Sequence, residues 1–243
     1  MPHHDDKPAL SITGLRYRYP RATEDVIAIG SLRLEPGEQA VLSGRSGSGK
    51  STLLHLIAGL MDPVGGRVLI GGVDIHALSG PKRDRFRGRT IGMVFQNHQL
   101  LHGFTVLENV LAALMFSRIP RATHHERALL LLGSLGINTP SARIDELSIG
   151  QQQRVAVARA VACSPALVLA DEPTAALDPG YAAAAMDMLQ DACRTINAAL
   201  LCVTHDLSLI DRFDRHDRLE DQAAGTGSPA SGSVPSPGTG EVV

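Results

Sequence analysis

The chain has 243 residues, 44% of them hydrophobic, and a formal net charge of −2 at pH 7. This length fits one globular unit or a core domain with a smaller insert. With a pI near 6.5 and no block of like charges, nucleic-acid binding driven by phosphate neutralisation is not expected. No stretch approaches the roughly 18 apolar residues of a membrane span, and no signal pattern opens the chain. The three cysteines are not spaced as CxxC, which favours free thiols. We therefore expect a cytoplasmic chain whose membrane role, if any, requires a partner.

The first part of the chain changes from strand-like to helix-like patterning at a glycine-rich segment. Residues 10–43 predict two or three strands, the last ending in the apolar run Gln39–Leu42. After GRSGSGKS, the apolar spacing of STLLHLIAG predicts a helix closed by Gly59. GRVLIGG and TIGMVFQ predict further short strands.

The rest of the chain predicts a helical segment and then a parallel strand unit. TVLENVLAALMFS and residues 123–135 have amphipathic helical patterns. ALVLAD (166–171) and ALLCVT (199–204) predict strands separated by a helix over 181–196, as in a right-handed βαβ unit. The sequence therefore predicts an α/β core with a helical insert.

GRSGSGKS satisfies the pattern GxxxxGK[ST] in the required place, between a strand and a helix. In this pattern glycines let backbone N–H groups turn inward around a phosphate chain, Lys50 reaches the β- and γ-phosphates, and Ser51 binds Mg²⁺. The simpler alternative is a Gly/Ser-rich turn before a helix, which needs strand, loop, helix and Lys-Ser to coincide by chance. The predicted phosphate-binding residues are Gly44, Arg45, Ser46, Gly47, Ser48, Gly49, Lys50 and Ser51.

The second half of a nucleotide site is predicted at ALVLADEPT, where an apolar strand delivers Asp171 and Glu172 at its carboxyl end. Asp171 would hold Mg²⁺ through water, and Glu172 would orient and polarise the attacking water. By itself such a pair more often marks a solvated turn. The interpretation as an ATP and Mg²⁺ site therefore depends on its combination with the phosphate loop.

The run LSIGQQQR resembles the signature motif of the nucleotide-binding subunits of ABC transporters. The resemblance implies that Ser148, Gly150 and Gln151 begin a helix and face the γ-phosphate of ATP held by a second copy of the chain. An ordinary N-capped helix explains the same residues, and the two interpretations are compatible. Ile149 stands where the family usually has a second glycine. If that position needed a positive φ, a β-branched residue would fit poorly, so we expect its side chain to point away from phosphate.

Four further residues resemble elements of the same family by position. Gln96 corresponds to the glutamine that reaches Mg²⁺ and the reactive water, although it could be a polar strand end. His205 corresponds to the switch histidine that contacts the γ-phosphate, although a single histidine after a strand is more often structural or exposed. Asp178 corresponds to the aspartate that bridges two subunits, although an Asp-Pro turn also explains it. Tyr19 corresponds to the aromatic residue that stacks on adenine, with Tyr17 as its competitor.

The resemblance implies a P-loop ATPase fold over residues 8–220, with a parallel sheet, an antiparallel β subdomain and a helical subdomain at about 83–150. Residues 222–243 are rich in Gly, Ser and Pro, which predicts a disordered tail. The family works as a head-to-tail homodimer, or with a paired ATPase subunit, with ATP between the two copies. The implied partners are integral membrane permease subunits at the cytoplasmic face of the inner membrane.

The stretch LLHGFTVLENV resembles the lipoprotein-release and macrolide-export branch of the family, which implies an exporter or lipoprotein-release type of system. Its apolar residues either receive a short helix of the membrane partner or belong to the core of the insert; they are Leu100, Leu101, Phe104 and Val106. The alternative function is a non-transport ABC ATPase that regulates a cell-wall hydrolase through a membrane protein.

Overall fold

The computed structural model of the protein describes residues 7–219, which form two β-sheets surrounded by helices. In chain order the strands are β1 Leu10–Tyr17, β2 Ile27–Leu34, β3 Gln39–Ser43, β4 Gly65–Ile70, β5 Val73–Asp74, β6 Ile91–Val94, β7 Leu167–Asp171, β8 Ala199–Thr204 and β9 Arg215–Arg218. The α-helices are α1 Lys50–Ile57, α2 Gly80–Thr90, α3 Val106–Leu114, α4 His124–Ser134, α5 Ile149–Val161 and α6 Pro179–Thr195.

The smaller sheet is antiparallel and has the strand order β2-β1-β4-β5. Along β1, Leu10, Ile12 and Leu15 are buried while most residues between them are exposed, as expected for a strand with one face on the core. The register of β1 against β4 shifts between Thr13 and Arg16, so the buried positions change phase there. With β3, which belongs to the larger sheet, residues 10–43 form three strands, in agreement with the prediction of two or three.

The larger sheet is parallel and has the order β6-β7-β8-β3-β9. Strands β3 and β8 are buried along their whole length because helices cover both faces. The predicted βαβ unit is present as β7, α6 and β8, with β7 and β8 paired in parallel. Its register places the carboxyl ends of three strands at one edge, where Ser43 pairs with Thr204 and Asp171 with Val203. This edge is where parallel α/β sheets bind ligands.

The helical insert packs α3 and α4 against α5. A capping box starts α3: the Glu108 N–H donates to Thr105 Oγ1 (3.2 Å), and the Thr105 N–H donates to Glu108 Oε2 (2.7 Å). Leu100 and Val106 are buried in the core of the insert, whereas Leu101 and Phe104 are 41% and 49% exposed. Leu100 and Val106 therefore belong to the core of the insert, while docking of a membrane partner on the exposed Leu101 and Phe104 stays a prediction.

The range 83–150 contains more than helices, because β6 lies within it and belongs to the parallel core sheet. Residue 220 and the predicted tail at 222–243 lie outside the described residues. None of the helices within 7–219 combines the length and the apolar character that a membrane crossing requires. All three cysteines are free thiols, as predicted.

Candidate functional site

The phosphate loop connects β3 to α1 and is shaped by glycines that occupy left-handed backbone conformations. Gly47 has φ +77° and Gly49 has φ +96°. At Gly49 a Cβ would lie 2.8 Å from Ile27 Cδ1 and 3.2 Å from the Val26 carbonyl oxygen, so a side chain is excluded by both the backbone and the space. The loop therefore leads into the N-terminus of α1 along a path that only glycine permits.

Lys50 is the first residue of α1, and its side chain is 7% exposed because it folds back over the loop. Its ammonium donates hydrogen bonds to the carbonyl oxygens of Gly44 (2.8 Å) and Arg45 (3.1 Å) and lies 3.8 Å from Glu172 Oε1. Ser48 Oγ is buried and has no hydrogen-bond partner among the described residues. The loop thus surrounds a buried cation and a buried hydroxyl, which suits it to an anionic ligand.

Asp171, at the end of β7, meets Ser51 of α1: the Ser51 hydroxyl donates to Asp171 Oδ1 at 3.0 Å. Burial raises the pKa of Asp171, the hydrogen bond from Ser51 opposes that shift, and the charge of Glu172 adds to it. Hydroxyl and carboxylate oxygens are the donors that Mg²⁺ prefers, and a cation between them would favour the ionised carboxylate. The pair therefore fits a divalent metal ion bound together with phosphate oxygens.

Glu172 is nearly buried and has a left-handed backbone, with φ +46°. Its carboxylate accepts hydrogen bonds from the Thr204 hydroxyl (2.9 Å to Oε2) and the His205 N–H (3.3 Å to Oε2), and His205 Nδ1 lies 2.8 Å from Oε1. The Glu172 N–H donates to the Val203 carbonyl oxygen at 3.0 Å. Contacts from the end of β8 therefore fix the position of this carboxylate.

Thr204 was not among the sequence-predicted site residues, although it holds Glu172. It is 1% exposed, and its hydroxyl oxygen also accepts the Asp206 N–H at 3.0 Å. Sequence reasoning could have found Thr204, because it is the polar residue that ends the apolar run ALLCVT directly before His205. Thr52 was also missed; its hydroxyl lies 2.7 Å from the hydroxyl of Tyr19.

Gln96 follows β6 and lines the same recess as Glu172 and His205, a cavity of about 810 Å³. The imidazole of His205 is 63% exposed, so the face that does not contact Glu172 is open to a ligand. Gln96, Glu172 and His205 therefore line one recess. Lys50 lies beside Glu172 and next to Ser51, whose hydroxyl contacts Asp171.

Tyr19 lies beside the first turn of α1 and is 43% exposed. Its ring packs edge-on against Tyr17, with ring centroids 5.1 Å apart. Tyr17, at the end of β1, is half-buried. Of the two candidate aromatics, Tyr19 therefore presents the more open ring near the phosphate loop.

Ser148 is the N-cap of α5 and forms a capping box with Gln151: the Gln151 N–H donates to Ser148 Oγ (3.3 Å), and the Ser148 N–H donates to Gln151 Oε1 (3.0 Å). Ile149 is the first residue of the helix, is 53% exposed and is not among the residues with positive φ in the described chain. The position therefore does not need a positive φ in this structure, and a β-branched residue is unstrained there. That its side chain points away from phosphate stays a prediction.

Ser148, Gly150 and Asp178 line a groove of about 510 Å³ together with Tyr181 and Met188. Asp178 is the N-cap residue of α6. Within residues 7–219, Ser148 and Gln151 have no hydrogen bond to the phosphate loop; their cap bonds remain inside the first turn of α5. The groove that Ser148 and Asp178 line thus includes none of the phosphate-loop residues 44–51.

Comparisons with known proteins agree with this geometry. The sequence family described as "ABC transporter" matches residues 29–175. The lipoprotein-releasing system ATP-binding protein LolD of Pseudomonas syringae pv. tomato is 42% identical over 218 residues, covering 88% of this chain and 96% of that protein. The protein of the same name from Anaeromyxobacter dehalogenans is 45% identical over 219 residues, covering 88% and 91%.

Among solved structures, a dimeric ATP-binding cassette in a post-hydrolysis state, bound to ADP and Pi, is 32% identical with a TM-score of 0.77. The match covers 88% of this chain and 95% of the other. The predicted P-loop ATPase fold and the predicted ATP-hydrolysing activity are confirmed by these similarities. The chain belongs to the ABC transporter family, as one of its ATP-binding and ATP-hydrolysing subunits.

Proposed function

We propose that two copies of the chain hold ATP between them, with the phosphate loop of one copy opposite the signature end of α5 of the other. The observation that carries this proposal is that Ser148 and Gly150 line a groove that includes none of residues 44–51, while the cap bond of Ser148 stays inside its own helix. A helix N-terminus with free N–H groups and a hydroxyl is suited to an anion. The structural neighbour with ADP and Pi is itself dimeric.

In this proposal the nucleotide is bound by the residues from 44 to 51, and Tyr19 stacks on the adenine. Lys50 exchanges its contacts with Gly44 and Arg45 for phosphate oxygens, which are stronger acceptors for a buried ammonium. Ser51, Asp171 and Gln96 would hold Mg²⁺, which would neutralise phosphate charge. Asp178 lies in the same groove as Ser148 and contacts the partner subunit.

Hydrolysis in this proposal depends on Glu172, which orients and polarises the attacking water. The carboxylate is suited to this role because Thr204 and His205 fix it, so little reorganisation is needed when water arrives. The exposed face of His205 contacts the γ-phosphate. Loss of the γ-phosphate removes the contacts that hold the two copies together, and the interface loosens.

We further propose that this movement drives integral membrane permease subunits of a lipoprotein-release type of system, from the cytoplasmic face of the membrane. The relatives named for lipoprotein release match nearly the whole of their length to this chain. Leu101 and Phe104, the exposed half of the apolar stretch after Gln96, offer a surface on which a permease segment can dock.

The test is Glu172→Gln, which keeps the size of the side chain but removes its charge. We expect turnover to fall by about a hundredfold or more, while ATP produces a stable dimer in size-exclusion chromatography with light scattering. Glu126→Gln, an exposed residue in the first turn of α4, is the control and should behave like the parent. Parent-like turnover of Glu172→Gln, or a monomer in saturating ATP, contradicts the proposal.

A further inference from the structure

Arg159, near the end of α5, contacts the loop that follows Gln96 through both arms of its guanidinium. Nη1 donates to the carbonyl oxygen of Gln99 at 2.5 Å, and Nη2 donates to that of His98 at 2.7 Å. Ser148 caps the other end of the same helix. One rigid element therefore carries both the signature end and a two-pronged contact to the Gln96 loop.

The backbone of that loop needs support, because two successive residues other than glycine adopt left-handed conformations. His98 has φ +54° and Gln99 has φ +45°. Such conformations are unfavourable for L-residues and persist where surrounding contacts impose them. The carbonyls that Arg159 binds belong to these same two residues.

Arg159 has no carboxylate partner within residues 7–219, so its charge is met there by the two carbonyl dipoles. Burial lowers the pKa of Arg159, the direction expected for a cation that has lost part of its hydration. Because the loop backbone supplies both acceptors of Arg159, the contact acts on the position of that backbone.

The side chain of His98 adds a second contact to α5. His98 and Gln153 are both buried, and the Gln153 side chain lies within reach of the His98 imidazole. Among the described residues His98 Nε2 and Gln153 Oε1 each lack a hydrogen-bond partner. In the tautomer that carries its proton on Nε2, His98 is the donor that Gln153 Oε1 can accept.

We propose that Arg159, assisted by His98 and Gln153, fastens the Gln96 loop to the signature helix, so that one chain's contributions to two different nucleotide sites move as one body. We call this set of contacts the Arg159 clamp. Arg159 is a positioning residue: it acts through Gln96 at its own site and through Ser148 at the site of the second copy. The inference rests on the proposed two-copy site.

The experiment separates the two sites by mixing chains. A trace of a chain with Glu172 is added to a large excess of Glu172→Gln chain, so that hydrolysis occurs only at the trace chain's own site, completed by the signature end of the excess chain. In the first arm Arg159→Ala is in the trace chain, which tests the Gln96 loop. In the second arm Arg159→Ala is in the excess chain, which tests the signature end offered to a parent trace chain.

We expect kcat to fall about tenfold in both arms, because a misplacement near 1 Å is enough for such a loss, while the KM for ATP stays at the parent value. Arg159→Lys keeps the charge but loses the two-pronged geometry, and should give an intermediate loss in both arms. If Arg159→Ala does not fold, as judged by circular dichroism, the Arg159→Lys arms decide by the same criteria.

Arg127→Ala is the matched control, because Arg127 also donates twice, to the Ala162 carbonyl oxygen (2.8 Å) and to Ser164 Oγ (2.7 Å), and ties α4 to the far end of α5. It should leave kcat at the parent value in both arms. A parent rate for the Arg159 variants in either arm overturns the clamp, and so does an equal loss from Arg127→Ala.

A third arm reports on the two-copy site itself. The excess chain then carries Glu172→Gln together with Ser148→Ala, and the trace chain is the parent. If this arm runs as fast as parent trace with simple Glu172→Gln excess, the proposed function fails. If it is slow and the second arm is not, the clamp alone fails.

Discussion

The phosphate loop and the signature end of α5 are both polar segments at the start of a helix, yet their surroundings differ. Around the phosphate loop, polar groups of the same chain converge: Lys50 on two loop carbonyls, Ser51 on Asp171, and Glu172 within 3.8 Å of Lys50. At the signature end, the side chains of Ser148 and Gln151 are exposed and, among residues 7–219, bond only within their own helical turn.

This difference indicates which chain supplies the ligand of each motif. The phosphate loop is suited to bind an anion with groups of its own chain, because a buried ammonium and a buried hydroxyl lie at the loop. The second motif offers a capped helix N-terminus that no group of the same chain uses within the described residues. The signature end, which binds nothing on its own chain among the described residues, is explained if its ligand is held by another molecule.

The largest effect that separates the two regions is expected from moving Ser148→Ala between the two chains of a mixed pair. In the excess chain, also carrying Glu172→Gln, it should slow hydrolysis by a parent trace chain about ten- to hundredfold, the usual range for losing a donor to developing charge. In the trace chain it should leave the rate near that of the parent, because the partner then supplies an intact signature end. The measurement is phosphate release at saturating ATP.

Thr105→Ala is the control for the helix cap, since Thr105 and Glu108 form the same capping box at α3. Both substitutions should lower the free energy of unfolding by about 1 kcal/mol. Only Ser148→Ala should slow hydrolysis, and only from the excess chain. Equal losses from both placements would remove the contrast between the two regions.

A smaller effect is expected inside the first region, from Thr204→Val. The substitution keeps the shape of the side chain but removes the hydroxyl that donates to Glu172 and accepts from the Asp206 N–H. We expect kcat to fall about tenfold with the KM for ATP unchanged, because the carboxylate loses one of the contacts that fix it. Steady-state phosphate release as a function of ATP concentration separates the two constants.

Thr204→Ser restores the hydroxyl and should recover most of the rate. The half-buried Asp206 N–H, left unpaired in Thr204→Val, should also lower the free energy of unfolding by about 1 kcal/mol, which thermal unfolding detects. If Thr204→Ser is no faster than Thr204→Val, the hydroxyl does not position Glu172.

The part of the candidate site that follows local sequence patterns could be predicted from the sequence. The glycine-rich loop, Lys50 and the carboxylates at the end of β7 follow local patterns, and the parallel strands bring them to one edge. The strands and helices were predictable from local apolar patterns as well: β1 and α3 repeat with the period of a half-buried strand and a helix, and β3 and β8 are continuous apolar runs.

Contacts that depend on tertiary packing were not predictable. Thr204 meets Glu172 only because β7 and β8 pair in a particular register, and 32 positions separate the two residues. Arg159 reaches the carbonyls of His98 and Gln99 from 61 and 60 positions away. No local pattern specifies such pairs, because a polar residue in an amphipathic helix is equally compatible with exposure.

The smallest expected effect tests the second region at its least typical residue, by Ile149→Gly. Ile149 has an unstrained backbone and an exposed side chain at the first position of α5, so glycine relieves nothing there. Glycine instead increases the freedom of the unfolded chain, and the free energy of unfolding should fall by about 0.5–1 kcal/mol. The rate of ATP hydrolysis should change by less than about twofold, because the N–H groups and hydroxyl of the first turn keep their positions. Ile149→Ala is the control: it removes most of the side chain without freeing the backbone. A several-fold faster Ile149→Gly with a parent-like Ile149→Ala would mean that the second subunit needs a backbone shape at this turn that the β-branched residue resists.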